Sequence, residues 1–316
     1  MKKLLFSLFL ALGTAFLVSS CKDGSDDVPT IADLAAADAN LSTLARALER
    51  TSLTSVLDGT DKYTVFAPTN AAFSALFTAL STPSNTVTVE NIDATVLKNT
   101  LLYHVVGGVV PSSAITTGYV KSAATFGTTT SALSLFIEKT TGVKINGGVN
   151  VTTADVLASN GTVHVVDKVI TLPTVVNHAL NNPNFSILVQ ALTRADLGVD
   201  YVGLLSGTGP FTVFAPTNAA FAALLTELGV ANLDAIPAAT LNAVLQYHVV
   251  NGANVLSTQL TEGQQVTTFG GSKFTVQLAG GAKILDGKGR TSNIVAVDVQ
   301  GTNGVVHALD KVILPN

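Results

Sequence analysis

The chain of 316 residues is 47% hydrophobic and 12% charged, a composition that buries real cores and excludes global disorder. Its 17 basic and 21 acidic residues give a net charge of −4, without the basic surplus of a phosphate-backbone binder, so no nucleic-acid partner is expected. A single cysteine, Cys21, excludes an intrachain disulfide framework and any cysteine-based zinc or iron–sulfur site.

In chain order, Lys2 and Lys3 precede an uncharged stretch from Leu4 to Ser20, the charged-then-apolar order of a secretory signal peptide. Its 17 residues, with Ser7, Gly13, Ser19 and Ser20 among them, are marginal for a span of about 20 apolar residues. Val18-Ser19-Ser20 set small residues directly before Cys21, which resembles a bacterial lipoprotein lipobox. Residues 1–20 are then a cleaved signal and Cys21 is the lipidated first residue of the mature chain. Residues 21–29 form a polar, acidic tether. An acidic run after such a cysteine resembles a surface-export signal in some Gram-negative groups, and in others Asp at the position of Asp23 implies inner-membrane retention. The surface is favoured: a lipid-anchored, surface-exposed protein of the outer membrane.

Asn40 before Leu41, Leu44 and Leu48 signals a first amphipathic helix, matched by Asn184 before Phe185, Leu188 and Leu192. Thr64-Val65-Phe66-Ala67 reads as a strand that Pro68 ends. Thr69 or Asn70 then caps a helix whose apolar stripe is Phe73, Leu76, Phe77 and Leu80. Leu97, Leu101 and His104 share one helix face, as do Leu241, Leu245 and His248, so both histidines are expected at least partly buried. The Val/Thr/Ile-rich runs Leu133–Ile137, Val143–Ile145 and Val163–Ile170 read as strands. Helices gathered early and strands late imply an α+β unit with a mostly non-parallel sheet.

The chain contains this unit twice. TVFAPTNAAF at Thr64–Phe73 recurs unchanged at Thr212–Phe221, with Thr217 and Asn218 in the capping positions. YHVV at Tyr103 recurs at Tyr247, and NGTVHVVDKVI at Asn160 recurs as NGVVHALDKVI at Asn303. The offsets are 148, 144 and 143 residues, so order is kept and only loops differ in length. The period is far too long for a solenoid. Two tandem domains are expected, residues 30–172 and 174–316.

The decapeptide, the Tyr-His pair and NGxVHxxDKVI, in this order and spacing, resemble the fasciclin-like domain family over nearly all of the mature chain. The resemblance implies a β-wedge of two sheets packed with a cluster of short helices. It also implies a surface role in cell adhesion, with matrix, glycan or another surface protein as partner. Asn91-Ile92-Asp93-Ala94 and Asn232-Leu233-Asp234-Ala235 do not reproduce the Asp-Ile pair assigned to integrin contact in animal relatives. Tyr103-His104 and Tyr247-His248 do match a second assigned region, which makes them candidates for an interaction or a structural motif.

His104, His164, His248 and His307 fall at matched positions and fit either a metal or acid–base pair per domain, or hydrogen bonds tying helix to sheet. The structural reading is favoured, because a metal asks for a third ligand and none stands at ligand spacing beside His104 or His248. Asp167 and Asp310 read as charged strand ends that bond backbone or histidine. His178, opposite Leu34 of copy one, reads as a surface or capping residue. No Gly-x-Ser-x-Gly elbow, calcium loop or complete phosphate loop occurs. The expected protein is a non-enzymatic adhesion lipoprotein with no cofactor, the alternative being a binding module for an apolar small molecule or pigment.

Overall fold

A computed structural model describes residues 28–127 and 129–316; Cys21, the signal segment and most of the tether lie outside the described residues. The first copy opens with helices α1 (Ile31–Ala37), α2 (Ser42–Arg50) and α3 (Thr54–Leu57), then strand β1 (Tyr63–Pro68) and helices α4 (Asn70–Leu80) and α5 (Ala94–Tyr103). Strands β2 (Val105–Gly107), β3 (Gly118–Thr125), β4 (Ala132–Lys139), β5 (Val143–Ile145), β6 (Val149–Ala158) and β7 (Gly161–Val166) complete it. The second copy repeats the order. It runs α6 (Val175–Asn181), α7 (Ser186–Leu192), α8 (Tyr201–Leu205), β8 (Phe211–Pro216), α9 (Asn218–Leu228), α10 (Ala238–Tyr247) and β9 (Val249–Asn251). Strands β10 (Gln265–Thr267), β11 (Lys273–Gln277), β12 (Lys283–Leu285), β13 (Thr291–Gly301) and β14 (Gly304–Leu309) follow.

In copy one the strands close into a barrel in sequence order, β7 returning to lie parallel to β1; every other pairing is antiparallel. Copy two keeps the same neighbours as a seven-stranded sheet with β9 and β10 at its ends. The two layers of the expected wedge are continuous through the long bulged strands β6 and β13, each of which bends from one layer to the other.

The central strand explains why the decapeptide is apolar without alternation. Val65 and Ala67 face the helix cluster, and Phe66 faces the barrel interior. Val213, Ala215 and Phe214 repeat this division in copy two. A strand covered on both faces needs an apolar side chain at every position. After it, Thr69 and Thr217 take the N-cap positions, accepting from Ala72 N and Ala220 N at 3.2 and 3.3 Å. Asn70 instead joins two helices: its Oδ1 accepts from Thr43 N at 2.8 Å, and its Nδ2 donates to Ala39 O and Ser42 Oγ. Asn218 does the same for α9 and α7. The first amphipathic helix starts at Ser42, later than Asn40, because Asp38 Oδ1 accepts from Asn40 N at 2.8 Å and closes a 3-10 turn over Ala39–Leu41.

The copies touch. Lys121 on β3 reaches the carbonyl of Asp298 on β13, Gln300 N donates to Ser134 Oγ of β4 at 3.0 Å, and Asn182 Nδ2 donates to the Tyr119 hydroxyl at 3.2 Å. Tyr119 also meets the edge of His178, ring centroids 5.7 Å apart. The surface or capping position expected for His178 is therefore corrected: its side chain is fully buried, with Nε2 3.0 Å from the Gln300 carbonyl. It stands where copy one carries Leu34, and the body of copy one covers it. Among the described residues, no helix is long and apolar enough to cross a membrane.

Candidate functional site

The repeated motifs converge on the joint between helices and sheet, and their polar atoms turn inward. Tyr103 is buried completely, its hydroxyl donating to Ser134 O at 2.6 Å and accepting from Asn146 Nδ2 at 3.0 Å. Tyr247 reaches Lys273 O at 2.8 Å. Burial raises both phenols above the ordinary tyrosine value. His104 ends α5 with Nδ1 2.7 Å from Thr100 O, while Nε2 accepts from Ile170 N at 2.8 Å. His248 repeats this with Val244 O and Ile313 N at 2.7 and 3.1 Å. Each ring pins the end of its helix to the segment that follows the last strand. Desolvation pushes both imidazoles down to about 4, against the pull of the carbonyl. All four side chains of the Tyr-His pairs are at most 3% exposed, so no partner reaches them in the folded chain.

His164 and His307 do a related job one layer away. Nε2 of each lies against a carbonyl, Val110 at 3.0 Å and Val255 at 2.9 Å, and Nδ1 accepts from the backbone N–H of Asp155 or Asp298. Each ring stacks on the phenylalanine of the central strand, at 5.7 Å from Phe66 and 5.4 Å from Phe214. The donating aspartates sit in the bulges of β6 and β13 with φ of 62° and 58°, a left-handed conformation that costs a non-glycine residue strain unless its surroundings hold it. The hold is visible. Asp298 accepts from Ser257 N and Oγ at 2.7 and 2.6 Å, and Asp155 accepts from both donors of Ser112. Those bonds keep the Asp155 carboxyl below the usual carboxylate range.

Motif reasoning missed this aspartate–serine pair, although Asp155 recurs as Asp298 at the same 143-residue offset as the NG motif. Asp167 and Asp310 bond neither histidine. Each closes onto an asparagine of the preceding strand: Asp167 accepts from Asn150 N and Nδ2 at 2.8 and 2.7 Å, and Asp310 does the same with Asn293. The asparagines that open the last motif are also spent internally. Asn160 donates to Leu57 O and Gly59 O and accepts from Ile31 N at 2.9 Å; Asn303 donates to Leu205 O and Gly207 O and accepts from Val175 N at 2.9 Å.

His164, Asp167 and Tyr103 thus share no hydrogen-bond partner, each being committed to a different segment. Among the described residues, no group of three or more His, Cys, Asp or Glu side chains is placed to hold a metal. An apolar cavity of about 60 Å³ lies between α2, α3, α5 and β1, lined by residues such as Leu44, Leu57 and Leu101, and its counterpart in copy two holds about 20 Å³. Both are far below the ~300–1,000 Å³ of small-molecule sites.

Two spans of the chain, residues 39–173 and 183–315, match the Fasciclin domain family. The chain belongs to this family. Protein sll1483 of Synechocystis is 40% identical over 144 residues, covering 45% of this chain and 73% of its own length. Transforming growth factor-beta-induced protein ig-h3 of Sus scrofa is 28% identical over 281 residues, covering 82% of this chain and 36% of its own. The FAS1 domain pair from the insect cell adhesion molecule Fasciclin I shares the fold, with a TM-score of 0.51 at 19% identity, over 86% of this chain and 92% of that one. Fasciclin domains therefore occur here as a tandem pair, as they do in a cell adhesion molecule.

Proposed function

We propose that the protein is a lipid-anchored surface protein whose two fasciclin domains make non-covalent contacts with extracellular matrix, glycan or a neighbouring cell. The observation that carries this reading is that the tyrosines, histidines, asparagines and aspartates repeated between the copies are bonded within the chain itself, while the repeated lysines, Lys168 and Lys311, are exposed. Acid–base or metal chemistry at the repeated tyrosines, histidines and aspartates would require atoms that are already bonded; contact through surfaces requires none of them. The relation to adhesion proteins supports the same reading. Acyl chains on Cys21 anchor the chain, the acidic tether holds it off the bilayer, and two linked domains raise effective affinity beyond that of either alone.

Fractionation tests the anchor. Cys21→Ala is expected to move the protein from the membrane pellet to the soluble fraction. Persistence of that variant in the pellet would refute lipid anchoring.

A further inference from the structure

We infer that a groove on the first domain, between α2, α4 and the loop 81–90, is a binding site for neutral saccharides. This inference rests on the contact function proposed above and gives it a place. The groove is a shallow, open depression of about 460 Å³, within the ~300–1,000 Å³ of small-molecule sites. Its floor carries Phe77, a half-buried ring held by Phe73 at a centroid distance of 5.8 Å. A partly exposed aromatic ring suits the C–H face of a pyranose, which is apolar although the rim of the sugar is hydroxylated. Thr43, Ser74 and Thr86 line the same groove, and no described group hydrogen-bonds their hydroxyls. A hydroxyl both donates and accepts, which is the pattern a sugar hydroxyl meets best. Arg46 and Glu90 pair across the rim, both largely exposed, so the groove adds no net charge to favour an ionic ligand.

The outer wall is fixed before any ligand arrives. Thr82 and Asn85 pair through their backbones at 2.9 and 3.1 Å, Ser81 Oγ accepts from Val87 N at 2.8 Å, and Asn91 Nδ2 donates to Thr86 O at 2.7 Å. Arg50 clamps its far end by donating to Val89 O and Ile92 O at 2.9 and 2.6 Å. A wall that is already ordered costs little to order on binding.

The second domain shows that the fold itself does not require this lining. Arg194 makes the same clamp, to Leu233 O and Ile236 O at 2.9 and 2.8 Å. The offset between copies falls from 148 at the decapeptide to 144 at the Tyr-His pair, so the wall there is four residues shorter. Ile187, Gln190, Ala222 and Leu225 replace Thr43, Arg46, Ser74 and Phe77, and Ile187 and Leu225 pack onto the core together with Val230. One domain covers its core here with aliphatic side chains; the other holds a hydroxyl-lined groove open.

The test is calorimetric titration of the full mature chain with neutral oligosaccharides (gluco-, manno- and galacto-oligomers) and with uronic acid oligomers as the charged arm. The variants Phe77→Leu and Thr43→Ile import the second domain's own residues at equivalent positions, and unchanged thermal melting verifies that they fold. The expected result is binding of at least one neutral oligomer, weakened about tenfold by Phe77→Leu and also weakened by Thr43→Ile. Binding that both folded variants leave unchanged would overturn the groove while leaving the contact function standing. Binding confined to the uronic acid arm, or to none of the probes, would overturn the neutral-saccharide assignment; the contact function is read separately, by whether cells carrying the chain attach to one another and to matrix.

Discussion

Lowering the pH from 7 to 5 tests the internal role of the histidines most quantitatively. Burial holds His104, His178 and His248 at about 4, whereas an unfolded chain protonates its histidines near 6.5. Below that value the unfolded state takes up protons that the folded state refuses, so stability falls as pH drops and the loss is complete only near the folded value. Between pH 7 and 5 each such histidine costs about 2 kcal/mol. Domain 1 contains one of the three and domain 2 contains two, and burial lowers His307 of domain 2 as well, so domain 2 loses at least about 4 kcal/mol against about 2. Against a typical total of roughly 5–15 kcal/mol these are large changes. Urea unfolding read by hydrogen exchange resolves the two domains through their separate peptides. Stability unchanged or higher at pH 5, or imidazole resonances of these residues titrating near the unfolded value, would refute the reasoning.

Further outcomes follow from single contacts. Asn303→Ala leaves the amide of Val175 and the carbonyls of Leu205 and Gly207 without their partner, and is expected to cost about 3 kcal/mol in a denaturant titration. Tyr103→Phe strands the Ser134 carbonyl, at a cost of about 1–2 kcal/mol, read by the same method. Tyr119→Ala with Lys121→Ala removes the side chains through which β3 meets His178, Asn182 and Asp298. Small-angle scattering is then expected to show a larger radius of gyration with both domains still folded; an unchanged profile would mean that this contact does not hold the pair together.

Much of the fold was legible because the chain repeats itself. The strand Thr64–Ala67 and its end at Pro68 are legible, though not that both its faces are covered, and two leucines on one helix face with His104 announce a histidine facing the core. The site was harder to see for reasons of distance and context. The pairing of Asp155 with Ser112 spans 43 residues and depends on a bulge that aims the aspartate backwards, which no local pattern records. His178 reads as peripheral because no pattern within its own copy records what lies against it; its position is leucine in copy one, and the contact between copies explains why a ring with an unpartnered Nδ1 is buried there. The groove left its trace as a change of offset, a four-residue difference that the repeat made visible but whose lining only the packing of α2 against α4 assembles.

The central claim is that repeated side chains hold shape while exposed surfaces make contact. Attachment of cells to one another and to extracted matrix tests it most directly, with cells carrying the native chain, the Cys21→Ala form, or no copy. Attachment by the first and its loss in the other two is the predicted result. Equal attachment by all three would contradict the account.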